Sequence, residues 1–343
     1  MIITDIACEE KLLPLKTPFI TAKRRLDVLK YYVVKIYTDT GLCGIGGCSP
    51  TPVITGDTDG SIIYAIREFY KPLLIGREIT PELLPYIQNV LFRNTSPKAA
   101  LDIAVYSLLA AEENNDILGY LGGGNRYVES DITVSIGERA KVMSDVRRAV
   151  DDGFSSIKIK LGRGMAEDLE ILREISAAAL PNITFRFDAN QAWSREEAVK
   201  IINAAYDMPM RIDLFEQPLD AHDIDGMAYV TRNTPIPILA DESIFDVYDA
   251  RRVIEAGAAD LINIKLMKCG GIYEAEKIYK AASDVGIGCM VGCMMEGPES
   301  VLAAAMFASA RGIRLCDLDA PFLCSGLPDT IHGKFAKGRI CFD

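Results

Sequence analysis

From about residue 130 onward the chain repeats one pattern eight times: a short, nearly all-apolar run, a loop, and an amphipathic stretch. The apolar runs are 131–136, 156–161, 184–190, 213–218, 237–243, 261–266, 288–293 and 313–321. With Val134, Ile159, Phe187, Phe215, Ala240, Ile264, Val291 and Cys316 as markers, the successive gaps are 25, 28, 28, 25, 24, 27 and 25 residues. Helical patterns fill the gaps, as at 140–152, closed by Gly153, and 247–256, closed by Gly257. A glycine just past a helix supplies its left-handed cap. Strands that are apolar throughout and alternate with helices form a parallel sheet covered on its outer face, and eight such units close into a barrel. The rival, an open doubly wound sheet, lacks a Gly-x-Gly-x-x-Gly turn after an early strand.

Residues 1–122 break this rhythm. Segments 2–13 and 31–37 read as strands of an antiparallel meander with a turn at 39–41, and 61–74, 82–91 and 98–114 read as helices. The expected architecture is a (β/α)7β TIM-like barrel with an N-terminal α+β capping domain completed by the C-terminal tail. The expected boundaries are 1–122 for the capping domain, 123–321 for the barrel and 322–343 for a tail packing on the first domain. Gly122, Gly123 and Gly124 mark the hinge.

Composition narrows the function. Among 343 residues, 37 are basic and 48 acidic, and the net charge of −11 with no basic stripe argues against nucleic acid. No apolar stretch is long enough to span a bilayer, and residues 1–16 lack the character of a secretory signal, so the expectation is a cytoplasmic protein with no membrane association. The nine cysteines form no C-x-x-C pair and read as reduced, buried thiols. With only His222 and His332 available, a three-histidine metal site is excluded and acid–base chemistry falls to other residue types.

Barrel active sites lie at the carboxyl ends of the strands. Those ends carry Lys158 and Lys160 on the second strand, Asp188 on the third, Glu216 on the fourth, Asp241 on the fifth, Lys265 on the sixth, and Asp317 and Asp319 on the eighth. Residues two apart share a strand face, so Lys158 and Lys160 point together, as do Asp317 and Asp319. Singly, each has a plain explanation: a helix cap, a solvated lysine, or an ion pair with a neighbouring Arg or Lys. Together, three acids on adjacent strands repel one another unless a cation sits among them, and Mg2+ suits such an oxygen set, with Mn2+ as a substitute. Lysines on the second and sixth strands would face a substrate from opposite sides, a geometry for removing a proton from one face and returning it to the other.

The runs Lys158-Ile159-Lys160, Asp188-Ala189-Asn190, Glu216-Gln217-Pro218, Asp241-Glu242-Ser243 and Asn263-Ile264-Lys265 resemble the enolase superfamily, in its muconate-lactonizing enzyme subgroup. The resemblance covers essentially the whole chain. It implies that Asp188, Glu216 and Asp241 bind Mg2+, that Lys160 and Lys265 are the two acid/base groups assisted by Lys158, and that the metal stabilises an enediolate. Asp317-Leu318-Asp319 resembles the Asp-x-Asp motif of dipeptide epimerases of the L-Ala-D/L-Glu type, which implies that these acids hold a substrate α-ammonium. Residues 51–57 resemble a capping-domain loop of that group, and Arg24 matches an arginine that grips a glutamate side chain. A dipeptide substrate, peptidoglycan peptide recycling and a homo-oligomer are implied by resemblance alone. Cys293, where this group often has serine, and the run 296–299 depart from the pattern. The alternatives are a muconate cycloisomerase or o-succinylbenzoate synthase acting on a non-peptide acid, a metal-free Schiff-base aldolase, and a catalytically silent barrel.

Overall fold

The computed structural model describes residues 1–21, 25–328 and 334–342. Arg24 lies outside the described residues. The N-terminal part opens with an antiparallel sheet of β1 (Ile3–Ile20), β2 (Arg25–Thr38) and β3 (Cys43–Cys48), in that order. α1 (Asp59–Tyr64), a π-helical turn (Ala65–Tyr70), α2 (Lys71–Leu74), α3 (Leu83–Asn89), α4 (Thr95–Glu112) and α5 (Ile117–Tyr120) follow. β1 runs well beyond the expected 2–13, and β3 has no strand signal of its own in the sequence, because Cys-Gly-Ile-Gly-Gly-Cys carries three residues that weaken a strand. Those glycines have a packing reason. A Cβ on Gly46 would sit 1.9 Å from the Ala100 carbonyl oxygen, and one on Gly44 2.2 Å from that of Ala104, so β3 lies directly on the α4 backbone.

After β4 (Tyr127–Glu129) come the barrel strands: β5 (Ile132–Val134), β6 (Ser156–Lys160), β7 (Thr184–Asp188), β8 (Arg211–Glu216), β9 (Ile238–Ala240), β10 (Leu261–Lys265), β11 (Gly288–Gly292) and β12 (Leu315–Asp317). They pair in sequence order as one eight-stranded parallel sheet. The two outermost strands meet where the Asp131 amide donates to the Cys316 carbonyl at 3.2 Å. The intervening helices are α6 (Arg139–Asp151), α7 (Met165–Ala177), α8 (Arg195–Tyr206), α9 (Ile224–Asn233), α10 (Val247–Ala256), the short α11 (Leu266–Cys269), α12 (Ile272–Ser283) and α13 (Pro298–Ala310). Ser194 and Glu197 form a capping box at the start of α8, and Gly257 closes α10 in the left-handed region (φ 58°), as its sequence predicts.

Inside the barrel, Leu214, Leu239 and Met290 make a fully buried apolar plug backed by Leu261 and Leu315. One inward position further along these strands, Leu214 gives way to Glu216, Leu239 to Asp241 and Leu315 to Asp317. Two polar contacts seat the capping domain on the barrel. The buried Asp102 of α4 accepts the amide of Ile272 at 2.6 Å at the start of α12, and Gln88 Nε2 donates to the Gly270 carbonyl at 2.7 Å. The C-terminal segment touches both parts: the Ser325 amide donates to the Pro14 carbonyl, while β13 (Phe335–Ala336) and β14 (Arg339–Cys341) extend β4 into a small antiparallel sheet. Among the described residues no helix is long and apolar enough to cross a membrane.

Gly46→Ala forces β3 away from α4 and is expected to cost about 3 kcal/mol, the upper end of what an added methyl costs in a packed core. Urea unfolding with fluorescence detection measures this directly.

Candidate active site

At the carboxyl ends of the barrel strands, alternate inward positions bring acids and lysines together. The parallel register sets Lys160 beside Asp188 and Asp188 beside Glu216. All the sequence-identified residues except Arg24 are described, and Lys158, Lys160, Asp188, Glu216, Asp241, Lys265, Asp317 and Asp319 are all buried. Lys158 is the hub. Its Nζ lies 2.6 Å from Glu216 Oε2, 2.7 Å from Asp317 Oδ2 and 3.0 Å from Asp188 Oδ2. Lys160 Nζ lies 2.6 Å from the same Asp188 oxygen. Across the mouth, Lys265 Nζ is 2.8 Å from Asp241 Oδ2 and 3.9 Å from Glu216 Oε1. Gly292 makes room for this lysine, since a Cβ there would stand 2.9 Å from Lys265 Cε.

Burial by itself would push the Lys158 and Lys265 ammonium groups towards deprotonation, but the carboxylates beside them outweigh it and hold both well above the ordinary lysine value. Burial and the neighbouring Asp188 charge push Glu216 up to about 8, against the pull of Lys158. Asp317 is buried too, yet Lys158 and the other lysines hold its carboxyl well below the usual range. Burial and the Asp317 charge push Asp319 up to about 6, although its Oδ2 accepts the Thr133 amide at 2.6 Å. Asp317 therefore already has a cationic partner within the chain, the ion-pair alternative noted above.

The donor set fits a divalent cation. Six buried carboxylates (Asp188, Glu216, Asp241, Glu242, Asp317, Asp319) meet four buried ammonium groups (Lys158, Lys160, Lys265, Lys268), a formal excess of two negative charges. The ligand atoms available from Asp188, Glu216 and Asp241 are all oxygen, and Glu216 Oε2, although 2.6 Å from Lys158, accepts no directed hydrogen bond. Among the described residues, the three acids that bring one oxygen each within 4.8 Å of one another are Asp131, Asp317 and Asp319 rather than Asp188, Glu216 and Asp241, and Lys158 is a counter-cation to both sets.

Sequence reasoning assigns no role to several of the participants. Asp131 and Arg186 form a buried ion pair (2.8 Å) one inward layer below the site, recognisable only once the register is known. Asn263 Nδ2 donates to Glu216 Oε1 at 3.2 Å, and Gln217 Oε1 accepts the amide of Asp241 at 2.9 Å. Asn190 and Gln217 hold left-handed backbone (φ 44° and 36°), a strain that marks the turns carrying them. Above the charged ring the cavity walls are apolar: Phe19 from β1, Val53 and Ile54 from the capping domain, and Met294 and Met295 after β11. Cys293, at the start of that last loop, also lines the cavity, and Glu296 anchors it by accepting the Met294 amide at 2.8 Å.

Burial pushes the Glu296 carboxyl up to about 7, with Ser300, the Met294 amide and Lys265 pulling the other way. A carboxyl raised on folding stabilises the fold at low pH and loses that contribution as pH climbs from its unfolded value through 7. Glu296→Gln should therefore gain stability relative to the parent chain, on the order of 2 kcal/mol, at pH 8 but not at pH 4, in urea titrations at the two pH values.

Comparison with known proteins agrees with this geometry. Residues 3–122 match the mandelate racemase / muconate lactonizing enzyme N-terminal domain, and residues 141–329 match the enolase C-terminal domain-like family. The chain is 42% identical over 328 residues to an L-Ala-D/L-Glu epimerase of Clostridium acetobutylicum, covering 95% of this chain and 92% of that one. It is 38% identical over 322 residues to a hydrophobic dipeptide epimerase of Enterococcus faecalis, covering 92% and 90%. The substrate-liganded L-Ala-D/L-Glu epimerase of Bacillus subtilis superposes with a TM-score of 0.95 at 37% identity, over 100% of this chain and 97% of that one. The E. faecalis dipeptide epimerase complexed with Mg and L-Leu-L-Tyr gives 0.93 at 35%, over 100% and 98%. These relatives are epimerases, isomerases acting on amino-acid derivatives. The chain belongs to the mandelate racemase/muconate lactonizing enzyme family of the enolase superfamily.

Proposed function

We propose that the protein is a Mg2+-dependent dipeptide epimerase that inverts the α-carbon of the C-terminal residue of an L-Ala-L/D-Glu-type dipeptide. The observation that carries this reading is the ring of buried lysines and carboxylates, with Lys160 on β6 and Lys265 on β10. Those strands stand four apart in an eight-stranded barrel, so their side chains reach a central substrate from opposite faces. Asp188, Glu216 and Asp241 would hold the cation. When bound, Mg2+ supplies positive charge against the substrate carboxylate and so eases loss of the neighbouring proton.

Lys160 and Lys265 divide the proton traffic. One must be neutral to accept the α-proton while the other delivers a proton to the opposite face, and their roles exchange with the direction of reaction. Lys158 lies among Asp188, Glu216 and Asp317, where its charge helps attract the substrate carboxylate. Asp317 and Asp319 offer carboxyl oxygens to the substrate's α-ammonium, and the Thr133 amide orients Asp319. Arg24, as grip for the acidic side chain, rests on resemblance. The apolar walls from Phe19, Val53, Ile54, Met294 and Met295 exclude water from the charged ring, which strengthens every interaction inside it.

In deuterated water with Mg2+, L-Ala-L-Glu and a panel of other L,L-dipeptides should take up deuterium at the C-terminal α-carbon as the L,D isomers appear, followed by proton NMR. Chelation should cut the rate by about a thousandfold or more, reversibly. Silence across the panel would turn the assignment to a non-peptide acid.

A further inference from the structure

One buried ammonium has no part in the mechanism above. Lys268 lies in the α11 turn, is 1% exposed, and does not line the cavity that Lys158, Lys160 and Lys265 face. Its Nζ lies 2.5 Å from Asp241 Oδ1, contacts the Asp241 carbonyl oxygen, and reaches the Asn263 carbonyl at 3.3 Å. An ammonium has three protons, and here three acceptors meet it, so its hydrogen-bonding capacity is filled without any substrate. The backbone beneath it is held as firmly. Gly270 and Gly271 turn the chain in the left-handed region (φ 99° and 123°), Gln88 ties down the Gly270 carbonyl, and Asp102 caps the helix that follows.

Asp241 is thus gripped from two sides, Oδ1 by Lys268 from behind and Oδ2 by Lys265 at the cavity. A carboxylate with no partner behind it is free to swing about its side-chain bonds; one ammonium bound both to Oδ1 and to the residue's own main-chain carbonyl fixes the direction of the side chain relative to its backbone. We propose that Lys268 is a positioning residue for the metal site. It holds Oδ1 and the main chain of Asp241, so that Oδ2 alone faces the cavity as a ligand oxygen. This rests on the reading that Asp241 is a metal ligand. Lys268 acts entirely through Asp241, as an outer partner that orients a ligand and sets metal affinity.

The test is calorimetric titration of Mg2+ into the full-length wild type, Lys268→Met and Lys268→Arg, with dipeptide turnover measured across Mg2+ concentrations. Lys268→Met should bind Mg2+ about tenfold or more weakly, and Lys268→Arg, which keeps the charge and donors, should recover most of that loss. The defect should fall more on the Mg2+ concentration giving half-maximal rate than on the rate at saturation. Unchanged or tighter Mg2+ binding by Lys268→Met, or a defect in the saturated rate alone, would overturn the proposal and leave a purely structural ion pair. If Lys268→Met does not fold, Lys268→Gln replaces it with the same expected loss and the same overturning result. Failure of the wild type itself to bind Mg2+ would instead overturn the metal assignment, and this inference with it.

Discussion

Ten ionisable groups share the barrel mouth, and what makes that tolerable is their interleaving. Each of the ring's four lysines lies within ion-pair distance of at least one carboxylate, and Lys158 of three. A buried charge left without a partner costs several kcal/mol, so no member of the ring can be dropped without disturbing its neighbours. The same interdependence holds the side chains in place before any ligand arrives. The formal excess of two negative charges makes the ring receptive to a divalent cation, while the three ammonium groups that line the cavity, Lys158, Lys160 and Lys265, stay within reach of a bound acid.

The remaining architecture serves this ring. The apolar plug of Leu214, Leu239 and Met290 fills the barrel below it, so the charges sit on a packed floor rather than over water. Asp102 and Gln88 seat the capping domain on the α11–α12 turn, the same turn that carries Lys268. The capping domain in turn brings Phe19, Val53 and Ile54 over the mouth. The close approach of Gly44 and Gly46 to α4 belongs to the same chain of contacts, because α4 carries Asp102.

Much of this was legible in the sequence because it has a period. Eight apolar runs at near-constant spacing announce the barrel, and polar residues at the ends of those runs announce its mouth. Three features lack such a signature. β3 is glycine-rich, and its pairing depends on α4, more than fifty residues further on, so local propensity hides it. Asp131 and Arg186 meet only through strand register and the closing of the barrel. Lys268 follows the last strand residue of β10 by three positions, in a helical turn, so strand alternation does not point to it. The Asp317–Lys158 ion pair is likewise hidden, because sequence gives the direction of a side chain but not the distance to its neighbour across the barrel.

The central claim is that Lys160 and Lys265 address opposite faces of one α-carbon. It is tested most directly by following deuterium exchange with each single variant, Lys160→Ala and Lys265→Ala, on the separate L,L and L,D diastereomers of a turned-over dipeptide. The account predicts that neither variant epimerises and that each still exchanges the α-proton of one diastereomer, the opposite one in the two cases. Full epimerisation by either variant, or exchange of the same diastereomer by both, would contradict it.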